Sequence, residues 1–239
     1  MSRIKLHKVL MFCCAFCVYA ISKQVLAQQI QTVRDVGARI GVGFTRKYDN
    51  PFKLEFTQDV RFFDNFSKVS SFVSDAGVSY RIDKNFSIGT HLRYIGNRKK
   101  DNFFYHDLRN DYDLNFKIKL SDRIKLKYRV KYQKTYGNLM TLDVTKYDPK
   151  ENKSNFRNKI QTEYEIGTHT LFLSFELFRE YKLFERPTFN KMRINLGDEF
   201  GFKKGDFVAG LSYELDWSDS KPLHFVFLKL YYNFDFDKK

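Results

Sequence analysis

One ten-residue stretch, KLEFTQDVRF (residues 53–62), constrains the fold more than any other part of the chain. Its even positions carry Leu, Phe, Gln, Val and Phe, whereas its odd positions carry Lys, Glu, Thr, Asp and Arg. Successive side chains of a β-strand point to opposite faces, so this segment is a strand with one apolar and one charged face. A chain built from such strands forms a sheet or barrel that separates a polar from an apolar environment.

The same alternation recurs in eleven segments between residues 36 and 236. Short turns alternate with longer connections, and the longest connection runs from residue 135 to residue 154. Proline is confined to these connections, where its missing N–H breaks no ladder bond. The pattern contains no helical period after the N-terminal segment, so it predicts one all-β domain of consecutive hairpins.

The first 27 residues have the pattern of a secretory signal peptide. Three basic residues precede the apolar run VLMFCCAFCVYAI, and small residues at Val25 and Ala27 fit a cleavage site. We expect residues 1–27 to be removed and residues 28–239 to form the single domain. An N-terminal membrane anchor is the alternative, but the apolar run is shorter than the about 20 residues that a spanning helix needs.

All three cysteines lie in this expected signal peptide. The mature chain therefore has no disulfide scaffold, thiolate metal site or cysteine nucleophile. It keeps 38 basic and 28 acidic residues, a net charge of +10. For an exported protein, this excess predicts contact with anionic lipid head groups or acidic solutes rather than with nucleic acid.

Alternation alone does not say which face meets water, because a soluble ligand-binding barrel alternates with its apolar face inside. Segments of ten residues or more favour the membrane interpretation, since a tilted membrane strand needs about 9–11 residues. Glycines on the charged face suit a concave inner wall, and the apolar face carries too many aromatic residues for a small interior. Tyrosines near strand ends match the aromatic belts of membrane barrels.

We therefore predict a transmembrane antiparallel up-and-down β-barrel of 10–12 strands. Twelve is the expected number because bacterial barrels normally have an even count. The twelfth strand is expected within residues 29–33 or 139–145. The last strand alternates up to Phe236, as expected of a signal for the barrel-insertion machinery.

The blocks DAGVSYRIDKNFSIGTHLRYIG, HDLRNDYDLNF and LKYRVKYQ resemble a family of exported outer-membrane barrels that is classed only as a domain of unknown function. The matching residues are Tyr80-Arg81, Lys84-Asn85-Phe86, Leu92-Arg93-Tyr94, His106 to Leu114 and Tyr128 to Gln133. The resemblance spans most of the mature chain. It implies a barrel in the outer membrane of a Gram-negative bacterium and supplies no activity.

Charged residues in the inward phase are the candidate functional residues, as lining of the lumen. They are Lys53, Glu55, Asp59, Arg61, Asp75, Arg81, His91, Arg93, Asp107, Arg109, Lys125, Lys127, Arg129, Lys131, Glu163, Glu176, Arg193 and Glu199. These residues allow two interpretations. In the first, they line a polar conduit or binding cavity that favours anions near the basic strand at residues 125–131. In the second, they form an internal ion-pair network. Barrels of eight strands are filled and those of sixteen are open, so ten to twelve strands leave both alternatives.

An enzyme is the main alternative function. Outer-membrane lipid hydrolases use Ser and His near the membrane edge, and Ser74, His106 and His224 have the outward phase. The motif G-x-S-x-G is absent, and no spacing predicts a Ser–His pair. The acidic residues Asp107, Asp111 and Asp113 alternate with Arg109, which predicts ion pairing rather than a cation site.

The sequence thus predicts a non-enzymatic outer-membrane barrel without a cofactor: a narrow pore, a binding barrel or a structural protein. Its expected partners are the lipid bilayer with its lipopolysaccharide and, through the last strand, the insertion machinery. A lipid-modifying enzyme and a soluble periplasmic ligand-binding barrel are the alternatives.

Overall fold

The structure is a computed structural model that describes residues 33–48, 51–98, 104–137, 153–181, 187–217 and 222–237. These residues form eleven strands: β1 (Val33–Lys47), β2 (Phe52–Phe63), β3 (Lys68–Arg81), β4 (Phe86–Arg98), β5 (Phe104–Lys119), β6 (Ile124–Tyr136), β7 (Lys153–Ile166), β8 (His169–Tyr181), β9 (Thr188–Phe202), β10 (Gly205–Asp216) and β11 (Leu223–Asp235). Within the described ranges, no helix is long and apolar enough to cross a membrane. The expected signal peptide, residues 1–27, lies outside these ranges.

The strands close into a barrel in chain order. Each consecutive pair is antiparallel, and β1 closes the barrel against β11 in parallel from Val33↔Leu223 to Thr45↔Asp235. The prediction of a β-barrel of 10–12 strands is confirmed, although the described strands number eleven and not the favoured twelve. The parallel seam also departs from the purely antiparallel barrel that we expected. An odd number makes the first and last strands run in the same direction, so the closing seam is parallel. Of the proposed twelfth-strand segments, Val33 is the first residue of β1; residues 29–32 and 139–145 are not described.

The two rims of the barrel differ in the length of their connections. Five connections of two to four residues join β1–β2, β3–β4, β5–β6, β7–β8 and β9–β10 at one rim, here called the short-turn rim. At the opposite rim, the long-connection rim, the links have four to sixteen residues. Strand β1 begins at the long-connection rim, and β11 ends at the short-turn rim.

The outer wall is apolar and the inner wall is charged. On β2, the side chains of Leu54 and Phe56 are 40% and 42% exposed, whereas that of Asp59 is 7% exposed. The same division holds on β5, where Tyr112 and Leu114 are exposed while Asp111 is fully buried. The centre of the molecule is therefore a polar core inside an apolar shell, the inverse of a soluble protein.

Several aromatic side chains depart from this division, among them Phe172 on β8 and Tyr231 on β11, which lie against the inward positions Gly197 and Gly41. Phe178 on β8 and Phe227 on β11 are buried inside the barrel, although we expected aromatic residues on the outer wall. The guanidinium carbon of Arg157 lies 4.5 Å from the ring centroid of Phe178, and that of Arg39 lies 4.3 Å from Phe227. Cation–π contact makes these rings compatible with a charged interior.

Candidate functional site

The lumen holds a first cluster of charges around Asp111 on β5, here called the Asp111 cluster. Lys131 Nζ lies 3.1 Å from one carboxylate oxygen of Asp111, and Gln133 Nε2 donates to both oxygens at 3.0 and 2.9 Å. Arg109 Nε approaches the same carboxylate to 3.2 Å, and Arg93 Nη2 approaches it to 3.8 Å. Neighbouring strands β4, β5 and β6 present these groups at the same face because their inward residues are in register.

His91 on β4 extends the Asp111 cluster towards β3. Its Nδ1 lies 2.9 Å from Asp75, and its Nε2 lies 3.3 Å from Asp113. Arg93 Nε donates to Asp75 at 2.6 Å. The ring has room because Gly77 stands opposite it: a Cβ at that position would overlap the imidazole of His91.

A second cluster, the Glu176 cluster, is centred on β8. Arg157 Nη2 donates to both carboxylate oxygens of Glu176 at 2.8 Å. Arg129 Nη2 and Arg193 Nη1 donate to the same carboxylate at 3.1 and 3.4 Å. Arg193 Nε also donates to Glu214 at 2.8 Å, which links this cluster to β10.

The two clusters fill the middle of the lumen. Asp111, Glu176 and Lys131 are 0%, 2% and 4% exposed. Side chains along a water-filled channel are accessible to water, so such low exposure means that the groups pack against one another. The wall of an eleven-stranded barrel thus encloses ion pairs at this level rather than an aqueous channel.

The remaining predicted lumen residues form smaller pairs or lie closer to the rims. Asp59 accepts from Arg61 at 2.9 Å, and Lys127 pairs with Glu163 at 2.5 Å. Further contacts join Lys53 to Glu55, Lys125 to Glu165 and Asn97 to Asp107. Arg81 and Glu199 occupy inward register positions on β3 and β9 and join neither cluster.

Several lumen residues fall outside the predicted set. Glu214 is buried between Arg193 and Lys191, and Lys229 Nζ donates to Asn195. A signal for Glu214 exists in the sequence, because Ser212, Glu214 and Asp216 alternate with Leu211, Tyr213 and Leu215.

A cavity of about 690 Å³ occupies the lumen on the side of the short-turn rim. Its wall is formed mainly by inward residues of β2 to β7, and it reaches as deep as Lys131. Ten Lys and Arg side chains line it, against three Asp and Glu. We call this cavity the turn-side vestibule.

The proposed enzyme residues lie on the outer wall but have other partners. Ser74 Oγ donates to Gln58 Oε1. His106 is bonded through Nδ1 to Tyr94 Oη, and His224 is bonded in the same way to Tyr213 at 2.7 Å. Across the described ranges, no group of three or more His, Cys, Asp and Glu is arranged to hold a metal ion.

Comparison with known proteins gives a family but no activity. The family model described as "Protein of unknown function (DUF2490)" matches residues 40–220. One similar solved structure is that of a "Bacterial polysaccharide outer membrane secretin"; it is 12% identical, with a TM-score of 0.40 over 74% of this chain and 73% of that chain. No curated protein matches the chain.

Proposed function

The chain belongs to the DUF2490 family of proteins of unknown function, and we propose that it is an outer-membrane barrel that binds a solute inside an occluded lumen. The observation that carries the proposal is the burial of the Asp111 and Glu176 clusters inside a wall whose outer face is apolar. Such a barrel is a binding or structural protein rather than a diffusion pore.

Strand dimensions support insertion in a membrane. The strands have 12 to 16 residues. At about 3.3 Å per residue and a tilt of about 45°, twelve residues span about 28 Å, close to the about 30 Å thickness of a hydrocarbon core. Closure also pairs the backbone groups of every strand edge, which a lipid environment requires.

The lengths of the connections at the two rims support one orientation of the barrel in the membrane. Bacterial barrels have short turns at the periplasmic side and longer loops outside. By this rule the short-turn rim faces the periplasm and the long-connection rim faces outwards. The proposed partners are therefore the bilayer around the wall, lipopolysaccharide near the long-connection rim, and the insertion machinery at β11.

A non-catalytic role is part of the proposal. Ser74 is hydrogen-bonded to an amide rather than to a histidine, and His106 is bonded to a phenol. A nucleophilic serine needs a base within hydrogen-bond reach.

Two measurements test the proposal. The protein should fractionate with outer membranes, and unheated samples should migrate on a denaturing gel at a different apparent mass from boiled ones. Purified protein in planar bilayers should give no steady conductance, with a sixteen-stranded porin as the positive control. Steady single-channel currents would contradict occlusion, and recovery in the soluble periplasmic fraction would contradict the membrane location.

A further inference from the structure

The turn-side vestibule has the dimensions of a small-molecule site. Its volume, about 690 Å³, falls within the about 300–1,000 Å³ that ligand pockets of proteins usually have. The buried Asp111 cluster lies at its inner end, since Lys131 and Arg93 belong to both. The cavity is therefore a blind pocket within the lumen, open on the side of the short-turn rim.

The positive charge of the vestibule is only partly neutralised. Lys53 pairs with Glu55 at 2.6 Å, and Lys127 pairs with Glu163 at 2.5 Å. In contrast, the side chains of Arg81, Lys117 and Lys159 form no ion pair with any residue that the structure describes. Three cations thus line one cavity that is open at the short-turn rim, with no carboxylate of the described residues within ion-pair distance; Arg81 and Lys117 are exposed, and Lys159 is half-buried.

The strand register brings like charges together in this wall. Lys117 on β5 is directly opposite Lys127 on β6, and Arg129 on β6 is directly opposite Lys159 on β7. Like charges in directly opposite positions destabilise a sheet. An anion with two or more negative charges, placed between them, would offset this repulsion. Asn115 also lines the cavity and supplies a neutral hydrogen-bond donor, whereas the amide of Gln161 already donates to Glu163 at 2.6 Å.

We propose that the turn-side vestibule is a binding site for a small multivalent anion, a solute that carries phosphate or several carboxylate groups. Lys117 and Lys159 are the principal ligands, with Arg81 as a third cation. This inference rests on the proposed function, because it assigns a chemical class to the solute bound in the occluded lumen.

Titration calorimetry on the full-length protein purified in a zwitterionic detergent tests the assignment, with inorganic pyrophosphate and citrate as separate probes at low ionic strength. We expect saturable one-to-one binding of at least one probe, weakened by added salt. Lys117→Gln and Lys159→Gln should each weaken this binding at least tenfold. The matched control is Lys203→Gln, which removes the same charge from the β9–β10 turn at the same rim, outside the cavity.

Absence of saturable binding of both probes by the wild type would overturn the assignment. So would an equal loss of binding in Lys203→Gln, because it would indicate diffuse attraction to a basic surface. Each variant is first shown to be folded by its heat-dependent gel migration. Because binding is measured in detergent, an occluded membrane barrel that binds neither probe would overturn this inference and leave the proposed function standing.

Discussion

Phe66, in the turn between β2 and β3, has a φ of +67°, a conformation that costs an L-residue roughly 1–2 kcal/mol and glycine almost nothing. Asp64 and Asn65 before it also have positive φ, and their N–H groups donate to Asp35.

We expect Phe66→Gly to be more stable to urea unfolding than Phe66→Ala by about 1 kcal/mol. Both variants lose the ring, so their difference isolates the backbone term. The fluorescence of Trp217, the only tryptophan, follows the transition. If Phe66→Gly and Phe66→Ala were equally stable, the positive φ of residue 66 would have no measurable cost.

Gly77 is required by the close approach of His91. An added Cβ would overlap the ring, which Asp75 and Asp113 hold from both sides. We expect Gly77→Ala to lower the free energy of unfolding by roughly 1–3 kcal/mol, the usual cost of overpacking. Gly89→Ala is the matched control on the adjacent strand, since its nearest neighbours are at 3.4 Å. A similar loss in both variants would show that the cost comes from the strand and not from the histidine.

At the residue scale, the alternation of the sequence predicts which residues face inwards but not which ones meet. His91 contacts Asp75 and Asp113 only because β3, β4 and β5 adopt one particular register. Nor does a charge pattern reveal that guanidinium groups cover Phe178 and Phe227. The choice between an open conduit and an ion-pair network depends on such contacts, so it was not predictable from the sequence.

At the scale of strands, Glu176 joins four elements, because it lies on β8 and accepts from arginines on β6, β7 and β9. Glu176→Ala would leave these arginines buried without their shared carboxylate. We expect a loss of about 3–5 kcal/mol of unfolding free energy in urea titrations, the usual effect of removing one partner of a buried ion pair.

Glu55→Ala provides the comparison for Glu176→Ala. It removes a carboxylate from a partly exposed pair with Lys53, for which the expected effect is at most about 1 kcal/mol. If both substitutions had equally small effects, the Glu176 cluster would not stabilise the barrel.

The existence of the strands was the most predictable element-scale feature. The eleven alternating segments correspond to the eleven strands, because the period of two persists wherever a wall separates two environments. Strand ends were less predictable: β9 begins at Thr188 and not at residue 192, since a strand extends as far as its neighbours supply hydrogen bonds. The expectation of a hidden twelfth strand followed from the even count of bacterial barrels and not from any residue.

At the scale of the whole molecule, closure depends on the parallel seam between β1 and β11. Val36 and Val226 are register partners in this seam. Because the mature chain is expected to contain no cysteine, Val36→Cys with Val226→Cys introduces a single pair of thiols that should form a disulfide. The crosslinked protein should retain altered gel migration after boiling without reductant. Val36→Cys with Leu230→Cys, four residues out of register, is the control and should crosslink poorly. Efficient crosslinking of Val36→Cys with Leu230→Cys, together with poor crosslinking of Val36→Cys with Val226→Cys, would refute the register of the seam.

No local pattern predicts such a seam. The alternation of β1 and of β11 is the same whether the two strands pair in parallel, in antiparallel or not at all. The direction of the closing pair depends on the number of strands. Where connections are long, the sequence defines that number only to within a strand or two.

An odd number of strands places the first and the last residue of the barrel wall at opposite rims. Because Val33 and Asp235 lie at opposite rims, polypeptide attached before β1 and polypeptide attached after β11 emerge into different compartments when the wall is embedded. Epitope tags at these two points should therefore differ in antibody access on intact cells. In the proposed outer-membrane orientation, one of these attachment points would face the outside of the cell and the other the periplasm.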